Sequence, residues 1–135
     1  MKRRTILFLS LFLIFLPLLG IQTERHVNSI TLTSQINAST NGNSSDFVVG
    51  MFKEANFVLK ATAKSGTTPT LDVTIQVKDE VTGDYFDLVT FTQLTDIGSE
   101  LKKVSDGLGK TIRVSWEIGG TSPQWTFTVT AVVKT

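Results

Sequence analysis

The sequence predicts an all-β protein: a single antiparallel β-sandwich behind an N-terminal hydrophobic segment that forms a signal or anchor helix. Three observations carry this expectation. From Phe47 onward apolar and polar residues alternate with period two, the pattern of a strand with one buried face. Turn residues interrupt these runs about every 8–12 residues, the rhythm of a sandwich. From Phe47 onward only Ser99–Ser105 could hold a helical turn. There Leu101 and Val104 lie three apart, and Gly98 and Gly107 bracket the stretch too closely for a long helix.

The chain opens with Lys2, Arg3 and Arg4, followed by an apolar run from Thr5 to Gly20. A basic start ahead of about 15 apolar residues is the pattern of a secretory signal. Pro17 would break a helix near its end, as before a cleavage site. Gly20 is small, but Leu18 two residues earlier is not. The run Thr5–Ile21 also reaches the lower bound of about 17 residues for a bilayer span. A retained anchor would keep Lys2–Arg4 in the cytoplasm, and a pilin-type leader cut before the apolar run is the third reading. Under the first two, residues beyond about 22 end outside the membrane.

Residues 22–46 read as a polar linker. Ile30–Ile36 alternates with period two and reads as an edge strand or an extended stalk. Ser34–Asp46 is rich in Ser, Thr, Asn and Gly, a loop or linker composition. Asn37-Ala-Ser39 and Asn43-Ser-Ser45 match the glycan acceptor pattern.

Residues 47–135 form the expected sandwich domain. Phe47–Phe52 is one short run. Phe57, Leu59, Ala61 and Ala63 share a phase, as do Leu71, Val73, Ile75 and Val77. Tyr85–Phe91 follows Thr82-Gly83-Asp84, a hairpin turn signal. Ile112, Val114, Trp116 and Ile118 form another run, and Trp125, Phe127 and Val129 the last. β-Branched and aromatic residues fill them, as strands favour. The predicted core is Leu59, Leu71, Val73, Ile75, Phe86, Leu88, Phe91, Ile112, Val114, Trp116, Trp125, Phe127 and Val129. At about 1.5–3 kcal/mol per buried large side chain, such a core suffices for about 90 ordered residues without disulfides. Strand number and length suit an Ig-like or jelly-roll-like sandwich of about six to eight strands.

One unit occurs twice. Gly66-Thr67-Thr68-Pro69 precedes Leu71-Asp-Val-Thr-Ile75, and Gly120-Thr121-Ser122-Pro123 precedes Trp125-Thr-Phe-Thr-Val129, with an offset of 54 residues. The same offset aligns Val58–Ala63 with Ile112–Glu117. Glycine permits positive φ, and proline fixes φ and lacks a donor, so each motif reads as a turn between two strands. Two equivalent hairpins, one per sheet, are expected. A functional reading makes Gly66–Pro69 and Gly120–Pro123 matching loops that touch a partner.

Ser65–Val73 with Gln76, then Phe86-Asp-Leu88 and Phe91-Thr-Gln93, then Arg113-Val114, Trp116 and Gly119–Pro123 to Phe127-Thr-Val129 form an ordered set. Over about residues 54–135 it resembles small Ig-like β-sandwich proteins encoded in the structural modules of tailed phages and prophages. That resemblance implies a non-enzymatic virion surface or decoration domain that self-assembles or displays a binding face, and it carries over no catalytic residue. The leader sets this chain apart, because virion proteins assembled in the cytoplasm need no export signal. It points to a secreted or membrane-anchored relative, to a virus particle with a membrane, or to a cellular surface protein built on the same sandwich.

Composition narrows the chemistry. The sequence has no Cys and a single His, which excludes disulfides, thiolate catalysis and Cys-ligated zinc within it. His26 lies in the polar stretch, where a solvated residue is expected. Without Lys2–Arg4 there are ten basic residues against twelve acidic ones, a net −2, so nothing draws the chain to nucleic acid. No cofactor is implied. Asp79, Glu80, Asp84 and Asp87 gather around one hairpin, as a solvated turn or as hard oxygen ligands for Ca²⁺. They lack the Asp-x-Asp-x-Asp-Gly spacing. A third reading is a small hydrolase built on two of these carboxylates. Gly107-Leu-Gly109 reads as a turn. Tyr85 lies out of phase with Phe86, so it is the aromatic residue offered to a ligand, whereas both tryptophans fall in the core phase. The expected function is therefore an exported, non-enzymatic structural or interaction module. It would be extracytoplasmic, associate with itself or with other surface or virion proteins, and meet membrane only through an uncleaved N-terminal segment. The alternative is a secreted carbohydrate-binding module, with a glycan as partner.

Overall fold

The computed structural model describes residues 25–135. The apolar leader, with its signal and anchor readings, lies outside the described residues. The elements are β1 (Val27–Ala38), β2 (Gly42–Asn43), β3 (Phe47–Val48), β4 (Glu54–Lys78), β5 (Tyr85–Thr90), β6 (Gly98–Val104) and β7 (Thr111–Lys134). All join one antiparallel sheet, and no helix occurs among the described residues. The order is β1-β7-β4-β5, with β2 and β3 on β7 and β6 on β4. The stretch read as a polar linker thus supplies β1 and β2. Ile30–Ile36 lies within β1, an edge strand.

The two hairpins expected at Gly66–Pro69 and Gly120–Pro123 are not formed. Both motifs lie within long strands, β4 and β7, and face each other across the ladder, with Thr67 opposite Thr121. Each carries a matched pair of left-handed residues: Gly66 at φ 102° with Thr68 at 47°, and Gly120 at 112° with Ser122 at 50°. The turn chemistry is real, but it bends a strand instead of reversing it. The register slips between Ser65 and Thr67 and again between Thr67 and Thr70, and each strand leaves the bend still paired with the other. Thr68 is β-branched, so its left-handed backbone is strained by about 1–3 kcal/mol.

The bend closes the core. Trp116 and Phe127 are eleven residues apart on β7, which straight strand would separate by about 36 Å. Their rings instead meet edge to face, with centroids 5.8 Å apart. The two halves of the sheet therefore pack their apolar rows into one core. Ala55, Phe57, Leu59 and Ala61 come from the first half of β4 and Leu71, Val73 and Ile75 from the second. Ile112, Val114 and Trp116 come from the first half of β7, and the odd residues Trp125–Val133 from the second. Trp125 is fully buried and Trp116 is 7% exposed.

The 54-residue relation extends beyond the residues that reveal it. β5 lies on the second half of β4 as β1 lies on the second half of β7. Gln76 pairs with Asp87 and Ile75 with Val89, skipping Leu88. Thr130 pairs with Thr31 and Val129 with Thr33, skipping Leu32. The other edges match as well, with Phe47 opposite Ile112 and Leu101 opposite Val58. The domain is thus two copies of one supersecondary unit, related by a pseudo-two-fold axis at the Thr67–Thr121 pair.

Two further expectations are corrected. Ser99–Ser105 is not a helical turn, since its first six residues belong to β6, paired with β4 from Ala61–Gly98 to Ala55–Val104. A seven-residue helix would carry the full nucleation cost, whereas a waiting strand satisfies each backbone group at once. Phe86, placed in the core by phase, is 58% exposed. It faces the same side as Val77, its cross-strand partner, but lies one residue from the start of β5. Leu88, the bulged residue, is only half-buried. Leu32, Val49, Ala55, Phe57, Ala61, Leu108, Ala131 and Val133 join the core beyond the expected set.

The bend gives two tests in chemical denaturation. A Cβ on Gly66 would lie 2.5 Å from the Ser122 carbonyl oxygen, and one on Gly120 2.7 Å from that of Thr68. Gly66→Ala and Gly120→Ala should each destabilise the fold by more than about 2 kcal/mol. Thr68→Gly should cost less than about 0.5 kcal/mol or stabilise, because it removes left-handed strain of about 1–2 kcal/mol.

Candidate functional site

The acidic residues of the hairpin turn to separate partners. Asp79 accepts a hydrogen bond from the Val81 amide at 2.8 Å, which holds its carboxyl below the ordinary range. Glu80 turns to Lys110, with oxygen and nitrogen 3.7 Å apart. Asp87 accepts from the Gln76 amide at 2.9 Å, on the outer face of the sheet. Asp84 closes the turn through its backbone, accepting from the Asp79 amide. Among the described residues no three His, Asp or Glu side chains converge as a metal-holding group. Neighbours in sequence are dispersed by the alternation of β5 and by the turn.

Tyr85 is engaged rather than open. Its hydroxyl donates to both carboxylate oxygens of Asp46, at 2.7 and 2.9 Å. The Arg113 guanidinium lies 3.4 Å from its ring centroid and the Lys78 ammonium 5.6 Å away. Lys78 also pairs with Asp46 at 3.2 Å, and Arg113 Nε donates to Gln76 Oε1 at 2.9 Å. This polar belt crosses β5, β4 and β7 and ends at Asp46, just before β3. The Tyr85 hydroxyl above all, helped by Lys78 and Arg113, holds the Asp46 carboxyl below its usual range. Trp116 and Trp125 are buried, and the Arg113 guanidinium covers the Tyr85 ring. Sequence reasoning missed the belt, because Asp46 and Tyr85 are 39 residues apart.

The matched motifs meet at the bend. Lys64, Ser65, Gly66, Thr68, Pro69, Thr70 and Thr95 line a shallow cavity of about 530 Å³. Lys64 donates to the Thr95 carbonyl oxygen and pairs with Asp96 at 3.2 Å. Gly120–Ser122 lie opposite and exposed. Asn37 and Asn43, the two glycan acceptor candidates, are exposed. His26 lies at the domain end, its amide donating to the Thr135 hydroxyl at 3.1 Å.

The sheet edges differ in how they are guarded. Along β6, Glu100 and Lys102 share the core-facing row and pair at 2.8 Å. Glu100 also accepts from the Thr92 amide at 2.7 Å, and Lys102 first, then Thr92, holds its carboxyl below the usual range. Inward charges of this kind blunt an edge against pairing. β2 and β3 have two residues each, and β5 has six with a bulge. β1 has twelve residues and no charge or proline among them.

No family model matches the chain, and no curated protein matches it in sequence. Solved structures do share its fold. The SPBc2 prophage-derived protein YomS superposes with a TM-score of 0.52 at 16% identity, over 84% of this chain and 96% of that one. A subunit of the Bacillus endospore appendages, described as a family of disulfide-linked pili, gives 0.53 at 16% identity, over 82% and 88%. These likenesses establish a fold used by a prophage-derived protein and by pilus-forming appendages.

The belt predicts an acid-side effect. A carboxyl held below its ordinary value of 3.8 stabilises the fold above that pH and loses this contribution as pH falls through the folded value. Asp46→Asn should flatten the fall in thermal stability below pH 3.8 and leave that between pH 6 and 8 unchanged. Tyr85→Phe should shrink the same slope, read by circular dichroism melts across pH.

Proposed function

We propose that this chain is an exported, non-enzymatic structural module that associates with itself at a virion or cell surface. The observation that carries the reading is the fold it shares, over more than four-fifths of its length, with a prophage-derived protein and with a pilus-forming appendage subunit. The basic and apolar N-terminal pattern supports export, by cleavage within about residues 20–22 or by anchorage. The bent sheet serves as the two layers of a sandwich: a rigid core with exposed edges and a bend at the surface. The appendages are described as disulfide-linked. This sequence has no Cys, so its copies do not join through disulfides of this sequence.

Expression of the full chain in a secreting host tests the reading. Mass spectrometry of the exported product reads how the N-terminal segment is processed, and light scattering with electron microscopy reads assembly. Particles well above the 14.8 kDa chain in the extracytoplasmic fraction are expected. A product retained in the cytoplasm, or monomeric up to millimolar concentration, overturns it.

A further inference from the structure

We infer that the edge of β1 with no partner among the described residues docks the β1 of a second copy of this chain, antiparallel, with Ser29 opposite its counterpart. The inference rests on the reading that the chain self-associates, and it names the surface that does so.

The backbone sets the phase of that edge. The Thr135 amide donates to the His26 carbonyl oxygen at 3.1 Å. In an antiparallel ladder, bonded and non-bonded pairs alternate, so Asn28 and Ile30 turn their amide and carbonyl groups toward β7. Lys134, the partner of Val27, accepts instead from the Lys53 amide on its other side, at 2.9 Å, which fixes the same phase independently. Val27, Ser29 and Thr31 therefore point their N–H and C=O groups away from the sheet. The register is unbroken from Val27 to Thr31, and the first slip comes only at Leu32.

The chemistry of this stretch suits itself. Paired about Ser29, Val27 meets the second copy's Thr31, Ser29 meets its equivalent, and about six backbone hydrogen bonds form between groups that otherwise face water. Val27, 57% exposed, gains an apolar neighbour in the threonine methyl. No charge lies within Val27–Ala38, so no like charges face each other, and Arg25 is already engaged by Glu54 at 2.5 Å. The other edges lack this combination: β6 carries inward charges, β2 and β3 are too short, and β5 is half as long and bulged. Pairing of one edge with itself closes under two-fold symmetry. It joins the two sheets through adjacent β1 strands.

A chain without cysteine makes the test direct. Ser29→Cys in the full chain should form a disulfide-linked dimer on a non-reducing gel under copper-catalysed air oxidation, because bonded cross-strand Cα atoms lie about 5.5 Å apart. Ser99→Cys, on the guarded β6 edge, should stay monomeric on that gel. Thr31→Pro removes an outward amide without touching the β7 ladder and should weaken association at least about tenfold in sedimentation, with circular dichroism unchanged. Thr31→Lys, which needs no change of backbone, should do the same through like charges. Cross-linking of Ser29→Cys no faster than of Ser99→Cys overturns the inference. So does wild-type association in both Thr31 variants, which would leave self-assembly standing on another surface. A wild-type chain that is monomeric at every concentration removes both readings.

Discussion

The structure depends on one constraint: two long strands must bend at the same place without parting. β4 and β7 carry nearly the whole core, and every other strand is added to one of them. At the bend each strand spends two left-handed residues, one a glycine and one not. The opposing backbones approach so closely that neither glycine has room for a methyl group. Strain at Thr68 and Ser122 is tolerated because both ladders resume beyond it, and because the bend brings Trp116 against Phe127. If the strands ran straight, their apolar rows would face water on an open, twisted sheet.

Much of this was legible in the sequence, and the limits have physical causes. Alternation located the apolar rows of β4 and β7, because period two survives wherever one face is buried. It located Trp116 and Trp125 in the core for the same reason. It could not tell a bend from a hairpin, since Gly-Thr-Thr-Pro and Gly-Thr-Ser-Pro supply positive φ to either. The difference lies in which segment each half meets, and that is decided by partners at least 35 residues away. β6 was hidden because Glu100 and Lys102 occupy its core-facing row, where alternation expects apolar side chains. Phe86 had the right phase but lies at the start of β5, exposed, and phase alone does not report how far along a strand burial extends.

The candidate site was legible by composition more than by position. The Gly-Thr-x-Pro repeat led to the bend, but as loops. The acidic hairpin drew notice as a cluster, whereas the folded chain directs each carboxylate to a different partner. The belt around Tyr85 depends on Asp46 arriving from a polar stretch that reads as linker. Edge character, in contrast, follows from residue type once the strand order is known: charges guard β6, brevity guards β2 and β3, and β1 has neither.

The same topology governs when the molecule can form. The first half of β4 is paired with the last residues of β7, Glu54 with Lys134 across 80 positions, and the second half of β4 with the beginning of β7. A nascent chain that ends before Thr111 therefore has no central partner for β4. Such a sheet is assembled from distant contacts, which makes folding slow. Its native network arises only after β7 has been synthesised, and until then the chain remains open to whatever threads, binds or degrades an extended polypeptide.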